Sequence, residues 1–360
     1  MTSTKRLEES LAEIKDARQE WKVWHPLKSV LFIGFATILS GGDSFEDMER
    51  FGESKREFFE KHLDLSNGVP SHDTFRRVFE MIRVEELLAV LQHYGGVAGE
   101  GEQVCIDGKT LRGGRVHVLN AYAREKGLAL GQLAVDEKSN EITALPEMIG
   151  LLAVEGAVVT VDAMGCQKSV ARKIIEAKAG YVLALKGNHG VAYEEVKAYF
   201  DDALRRGELP SHEEHDKGHG RIETRRYWQS EQIAWFADLK LWEGLRSLAM
   251  VESTRRKGES TKVERRYYLS SLPADLPRIA ALVRGHWAIE NSLHWVMDVT
   301  FGEDRNRTLL KCAAQNLALM RRLALNICKL DSSVKDSLKG KRFRAACSNS
   351  YLAHLLNFHA

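Results

Sequence analysis

Two aspartates stand at the ends of apolar segments in matching contexts. Asp107 closes the run VCID and Asp162 closes VVTVD, and a small residue follows each of them within two positions. Functional sites of α/β proteins form at the carboxyl ends of strands, so both carboxylates are candidates for chemistry. Each aspartate taken alone also has a simpler interpretation, because aspartate is a common turn former.

Carboxylates on neighbouring strand ends would face each other. Such a pair is unfavourable unless a cation lies between the two groups or one of them is protonated. Oxygen ligands without a cluster of Cys or His favour Mg²⁺ or Mn²⁺ over Zn²⁺. The two aspartates therefore predict a divalent-metal site at one edge of a sheet.

A third carboxylate lies in the segment RGHWAIENSLHWVMDVTFGEDRNR, which is typical of a helix. Its polar residues recur every four positions and so share one face: His286, Glu290, His294 and Asp298. The flanking apolar residues would pack this helix on the sheet and present Glu290 inward. In the alternative interpretation, Glu290 and the two histidines form a hydrogen-bonded ladder on the surface, and Asp298 is solvated together with Glu303 and Asp304.

Cys166 follows Asp162 closely enough to suggest a nucleophile. No Cys/His arrangement accompanies it, so a small buried residue is the better interpretation. The five cysteines are odd in number and scattered without a CxxC pair, which indicates neither a disulfide framework nor a structural zinc site.

The elements that carry these residues follow a recognisable order. Residues 1–100 read as a separate helical domain, in which a helix, the turn SNGVP and a second helix suggest a helix-turn-helix. The second helix opens with His72, Arg76 and Arg77 near its start, which suits a recognition helix, although an ordinary helical hairpin fits the same pattern. From Gln103, short β-type runs alternate with helices, as in α/β proteins. The expected division is a helical domain at 1–100, a catalytic core at 101–190 and 276–330, a β-rich insertion at 191–275, and a basic C-terminal tail at 331–360.

Length, charge and hydropathy restrict the classes of protein to which this chain can belong. The 360 residues allow two or three domains, and 52 Lys and Arg nearly balance 50 Asp and Glu. The charge is uneven, because residues 305–344 hold 11 basic and 2 acidic side chains, a pattern typical either of a polyanion-binding face or of a solvated helix. The polar N-terminus does not resemble a signal peptide, and Val30–Leu39 is too short to span a bilayer. We expect a soluble, cytoplasmic protein.

Several motifs between residues 45 and 326 carry a more specific resemblance. They include FEDMERFG, NGVPSHDTFRRVF, IDGKTLRG, LAVDEKSNEITALPE, VDAMGCQK, YVLALKGNH and HWAIENSLHWVMDVTFGEDRNR. With these motifs the chain resembles the DDE transposases of bacterial insertion sequences, in the H-repeat-associated group linked to Rhs elements. The resemblance implies an α/β fold with an RNase H-like core, and it assigns the acidic triad to Asp107, Asp162 and Glu290.

The resemblance also implies a reaction and its partners. Three carboxylates with two Mg²⁺ or Mn²⁺ ions would cleave DNA strands at terminal inverted repeats and transfer them to target DNA. The partner would be double-stranded DNA, held by a homodimer or larger synaptic complex associated with the nucleoid. Basic side chains near the motifs are candidates for DNA contacts: Lys109, Arg112, Lys186, Arg221, Arg321, Arg322, Lys341 and Arg342. A domesticated DNA-binding protein without activity, and an RNase H-like nuclease that does not transpose, remain the alternatives.

Overall fold

A computed structural model describes residues 7–111, 116–135, 141–218, 221–257, 260–308 and 310–358. For residues 218, 221 and 257 it describes the backbone only. The N-terminal region is helical, as predicted. Ser44 and Ser71 each begin a helix by accepting a hydrogen bond from a backbone N–H of the first turn. The helices are α1 Leu7–Ala12, α2 Leu27–Leu39, α3 Phe45–Ser54, α4 Arg56–Phe59, α5 His72–Met81 and α6 Val84–Gly95.

The central part of the chain forms a sheet with helices on both faces. Its strands are β1 Gln103–Thr110, β2 His117–Ala123, β3 Leu128–Val135, β4 Val158–Val161 and β5 Gly180–Leu185. The first three strands are antiparallel neighbours, and β4 and β5 continue the sheet parallel to β1. Helices α7 Glu141–Leu151 and α8 Lys168–Glu176 lie between the later strands. This order confirms the RNase H-like core.

The segment expected to be an insertion extends the same sheet. It begins with the helix α9 Gly190–Arg206 and continues with the strands β6 Ser211–Gly218, β7 Arg221–Ser230, β8 Ser247–Lys257 and β9 Ser260–Ser270. Strand β9 pairs antiparallel with β5, so the nine strands run in the order β3-β2-β1-β4-β5-β9-β8-β7-β6. The inserted strands thus adjoin the core directly.

The C-terminal part of the described chain is helical, and its last three helices pack on the N-terminal region. The helices of this part are α10 Leu276–Gly285, a π-helical turn Glu290–His294, α11 Trp295–Val299, α12 Lys311–Leu330, α13 Leu338–Cys347 and α14 Asn349–Leu356. Helices α2, α5, α6 and α12 share one apolar core, which also takes in residues of α13 and α14. The helices before residue 100 therefore pack directly on C-terminal helices, and residues 338–356, expected in a basic tail, form α13 and α14.

The basic segment 305–344 directs several of its charges inward. Arg321, Arg322, Lys341 and Arg342 are all less than a tenth exposed. Lys341 Nζ donates to the carbonyl of Cys328 at 2.8 Å, and Arg342 Nη2 donates to the carbonyl of Ile38 at 2.8 Å. Arg321 donates to the carbonyl of Asp43 at 3.2 Å, and Arg322 pairs with Glu303 at 2.7 Å. Burial and these partners do not favour the expected contacts of the four side chains with DNA. Among the described residues, no helix is both long and apolar enough to cross a membrane.

Candidate active site

Strand pairing brings the two aspartates together. Strands β1 and β4 are parallel neighbours, with Ile106 opposite Val161, so Asp107 and Asp162 follow at adjacent positions. Asp162 Oδ1 accepts the backbone N–H groups of Met164 at 3.0 Å and Gly165 at 3.3 Å. These bonds fix one carboxylate oxygen of Asp162 in the turn after β4 and leave the other oxygen for a ligand.

The helix that follows β9 supplies the third carboxylate. The two histidines of its predicted polar stripe face the sheet: His286 Nδ1 lies 3.1 Å from Thr160 Oγ1, and His294 Nδ1 lies 3.8 Å from Asp107 Oδ2. Glu290 opens to the surface, with its side chain 57% exposed. Glu290 begins the π-helical turn, a rare geometry that is common at functional sites. The hydrogen bond between Glu290 and His294 that the alternative ladder predicted is present, but its histidine is buried rather than on the surface.

A cleft of about 370 Å³ joins these groups. Asp107, Asp162 and Glu290 line it together with His286, and Lys186 and Arg266 stand at the same cleft. The carboxylate oxygens of Asp107 and Glu290 and a ring nitrogen of His294 lie within 4.8 Å of one another. The structure therefore brings the three predicted carboxylates into one cavity and adds a histidine to them.

The electrostatics of the cleft favour a bound cation. Burial, followed by the negative charges of Asp162, Glu141 and Glu290, raises the pKa of Asp107 to about 7. Burial lowers the pKa of His286 to about 4, so this ring is neutral and does not balance the carboxylates. Clustered carboxylate oxygens are the donor set that Mg²⁺ or Mn²⁺ takes, and the residues present fit such an ion.

The basic residue next to Asp107 in sequence has a structural partner. Lys109 Nζ is bonded to Asp298 Oδ1 and lies 3.1 Å from Glu303 Oε2. Its side chain is only 10% exposed. Lys109 is therefore not available to DNA, and Asp298, whose charge it neutralises, stands apart from the three carboxylates.

One acidic residue at the site, Glu141, was not among the candidates taken from the sequence. Glu141, at the start of α7, bonds His117 Nε2 through Oε1 at 2.6 Å. A Cβ atom added at Gly108 would lie 2.2 Å from that oxygen, so a larger residue there would force the Glu141 carboxylate to move. Glu141 lies within the motif LAVDEKSNEITALPE, but it neither ends an apolar run nor belongs to a polar helical face, so residue patterns alone do not make it a candidate.

The remaining candidates differ in exposure. Lys186, His72, Arg76 and Arg77 are exposed, the last three on α5, where His72 also bonds Glu49 and Arg76 bonds Asp73. Cys166 is fully buried, and burial raises the pKa of its thiol, so it is no nucleophile. Arg112 and the side chain of Arg221 lie outside the part of the chain that the structure describes.

Comparison with known proteins places this chain in a family. The family model "Transposase DDE domain" matches residues 91–327, and the model "DDE_Tnp_1-associated" matches residues 8–94. The chain belongs to the DDE transposase family. It is 35% identical to "Putative transposase YncI" of Escherichia coli O157:H7, over 98% of this chain and 95% of that one. It is 34% identical to "H repeat-associated putative transposase YhhI" of Escherichia coli K12, over 98% of both chains.

The resemblance to the H-repeat-associated group is thereby confirmed. Among solved structures, this chain is similar to piggyBac transposase, which was determined by cryo-EM in a synaptic complex with hairpin DNA. The likeness extends over 98% of this chain and 77% of that one, with a TM-score of 0.45 and 12% identity.

Proposed function

We propose that this protein is an active DNA transposase that cleaves DNA strands at the terminal inverted repeats of its element and joins them to target DNA. The observation that carries the proposal is the convergence of Asp107, Asp162 and Glu290 on one cleft in a member of this family. A protein that only bound DNA would have no need to keep three carboxylates together at an energetic cost.

The three carboxylates are the groups that would hold the metal. Divalent ions held by these residues would supply the Lewis-acid chemistry that activates a water or a 3′-hydroxyl and stabilises the leaving oxygen. Asp162 is oriented for this task by its backbone hydrogen bonds, and Glu290 by its contact with His294 Nδ1 at 2.9 Å. Neutral His286 closes the wall of the cleft beside Thr160 without competing for the carboxylates.

Basic side chains lie beside the cleft, on the inserted strands and on α10. A second cleft of about 350 Å³ shares Arg266 with the first and is lined by Arg225, Arg255 and Arg284. Arg225 pairs there with Glu223 through Nη2 at 2.7 Å and lies 3.9 Å from Asp216 through Nη1. Nη1 is buried without a hydrogen-bond partner and is the donor left for a phosphate oxygen. We assign this surface and Lys186 to the phosphate backbone of double-stranded DNA.

End recognition is assigned to α5. His72, Arg76 and Arg77 lie exposed near its start, where a recognition helix contacts base edges. Alanine at these positions should reduce discrimination between the ends of the element and random DNA, by about 1–3 kcal/mol for each side chain that reads a base. Equal weakening on both duplexes would move end recognition to the inserted strands. A homodimer or larger assembly should form on paired ends, as measured by light scattering.

The catalytic assignment is tested by removing one ligand charge at a time. Asp107→Asn and Glu290→Gln should abolish Mg²⁺-dependent cleavage of a duplex that carries the element end, with DNA binding retained. Asp298→Asn is the matched control, because Asp298 lies on the same helical stripe but pairs with Lys109. Retained cleavage in either of the first two variants, or complete loss in the control, would overturn the assignment.

A further inference from the structure

We propose that three buried residues, Arg322, Asn120 and His294, form a hydrogen-bonded relay that positions the carboxylate of Glu290 for metal binding. This inference rests on the proposed function, because it assigns Glu290 to the metal site. It gives a role to Arg322, which the sequence alone suggested as a DNA contact. None of the three relay residues is more than 3% exposed.

The relay begins at an arginine that is fixed on every side. Arg322 Nη1 and Nη2 donate to the two carboxylate oxygens of Glu303, at 2.7 and 3.4 Å. Nη1 also donates to the carbonyl of Ala318 at 2.9 Å. With the plane of the guanidinium fixed by these bonds, the Nε donor points toward Asn120 on β2.

Arg322 determines how the Asn120 amide is oriented. Arg322 Nε lies 2.7 Å from Asn120 Oδ1. A guanidinium group has donors and no acceptor, so the amide oxygen rather than the amide nitrogen must face it. The amide nitrogen of Asn120 is thereby directed to the opposite side, where it lies 3.4 Å from His294 Nε2.

The amide in turn selects the tautomer of His294. Because Asn120 Nδ2 can only donate, His294 Nε2 must accept, and the single proton of the neutral ring lies on Nδ1. His294 Nδ1 lies 2.9 Å from Glu290 Oε2, so the ring donates its proton to that carboxylate. In this tautomer Nδ1 has no free lone pair, and His294 is a positioning residue rather than a metal ligand.

Glu290 needs a partner that holds its side chain in one rotamer. Its side chain is 57% exposed, whereas the His294 side chain that holds it is 4% exposed. An exposed glutamate samples many rotamers, and a hydrogen bond from a rigid buried donor selects one of them. The relay thus transfers the rigidity of the buried Arg322–Glu303 pair to a ligand on the surface of the cleft.

The tautomer can be measured directly on the metal-free protein. Long-range ¹H–¹⁵N NMR of ¹⁵N-histidine-labelled protein should show His294 protonated at Nδ1 and unprotonated at Nε2, with the signals assigned by their disappearance in His294→Gln. Protonation at Nε2 in the wild-type protein would overturn the relay. This readout does not depend on DNA cleavage, so it separates failure of the relay from failure of the proposed function.

Asn120→Asp is the sharpest variant, because the carboxylate still accepts from Arg322 but cannot donate to His294. We expect His294 Nε2 to become protonated and Mn²⁺ affinity, measured by calorimetry, to fall about 10- to 100-fold, as it does when a residue that orients a metal ligand is replaced. Unchanged Nε2 protonation or unchanged Mn²⁺ affinity would contradict the relay.

The matched control is Asn326→Asp, one turn beyond Arg322 on α12. Asn326 is as deeply buried as Asn120 and bonds both backbone groups of Ala129, away from His294. This control should leave the His294 signals and the Mn²⁺ affinity as in the wild-type protein. If Mn²⁺ affinity fell equally in Asn326→Asp and Asn120→Asp, general destabilisation would explain both losses, and the relay would be refuted.

Discussion

Glu303→Gln should destabilise the protein strongly at neutral pH. Burial by itself raises the pKa of Glu303, but the charges of Arg322 and Lys109 outweigh it and lower the pKa from 4.5 to about 2. At 1.36 kcal/mol per pKa unit, this shift corresponds to roughly 3 kcal/mol of stability at pH 7. Breaking a buried ion pair by removing one partner gives a similar figure, about 3–5 kcal/mol.

The pH dependence identifies the cause. A carboxylate whose pKa is lowered by folding contributes its full stability above its ordinary pKa and loses it as the pH falls toward the folded value. The difference in unfolding free energy between wild type and Glu303→Gln should therefore shrink from roughly 3 kcal/mol at pH 7 to roughly 2 kcal/mol at pH 3.5. Urea unfolding followed by circular dichroism at both pH values measures it.

The control for this experiment is Glu60→Gln, which removes an exposed carboxylate paired with Arg56 on the surface. Such pairs contribute little, so the urea midpoint should not change. A difference below roughly 1 kcal/mol for Glu303→Gln at pH 7, or one that stays constant from pH 7 to 3.5, would refute the reasoning.

Three further outcomes are expected from the site and its surroundings. The raised pKa of Asp107 means that this carboxyl favours folding below its ordinary pKa of 3.8 and opposes it as the pH rises through about 7. Asp107→Asn should then make the metal-free protein more stable than wild type at pH 8 but not at pH 4, as shown by thermal melts. Lys186→Ala should reduce the slope of DNA affinity against salt by about 1, whereas Lys197→Ala, on α9 outside both clefts, should leave the slope unchanged in a fluorescence titration. Gly302→Ala should cost about 1–2 kcal/mol in urea unfolding, because Gly302 has φ +63° and an added Cβ would lie 2.6 Å from Asp43 Oδ2.

Local residue patterns were enough to predict the elements that carry the site. Apolar runs ending in aspartate predicted the strands that carry Asp107 and Asp162, because buried parallel strands are apolar throughout. A polar residue at every fourth position predicted the helical face of Glu290, because that spacing follows from the helix repeat. Motif resemblance placed the chain in its family, and the family models confirm it.

Which charges are exposed became known only from the folded chain. Arg322 and Lys109 look like DNA contacts in the sequence, where a charged residue carries no sign of its partner. Both meet the same buried carboxylate, that of Glu303, which belongs to a segment distant from Lys109 in the chain. Burial of a charge is stable only when such a partner is supplied, and long-range packing supplies it.

The packing partners of the helices and of the relay residues were likewise not predictable from the sequence. An apolar helix face indicates burial but not against what, so α2 and α12 gave no sequence sign that they share one core. Asn120 and His294 lie on different elements, and their hydrogen bond depends on how the helix after β9 packs across β1 and β2. Side-chain contacts of this kind arise from the three-dimensional path of the chain, which local residue patterns do not specify.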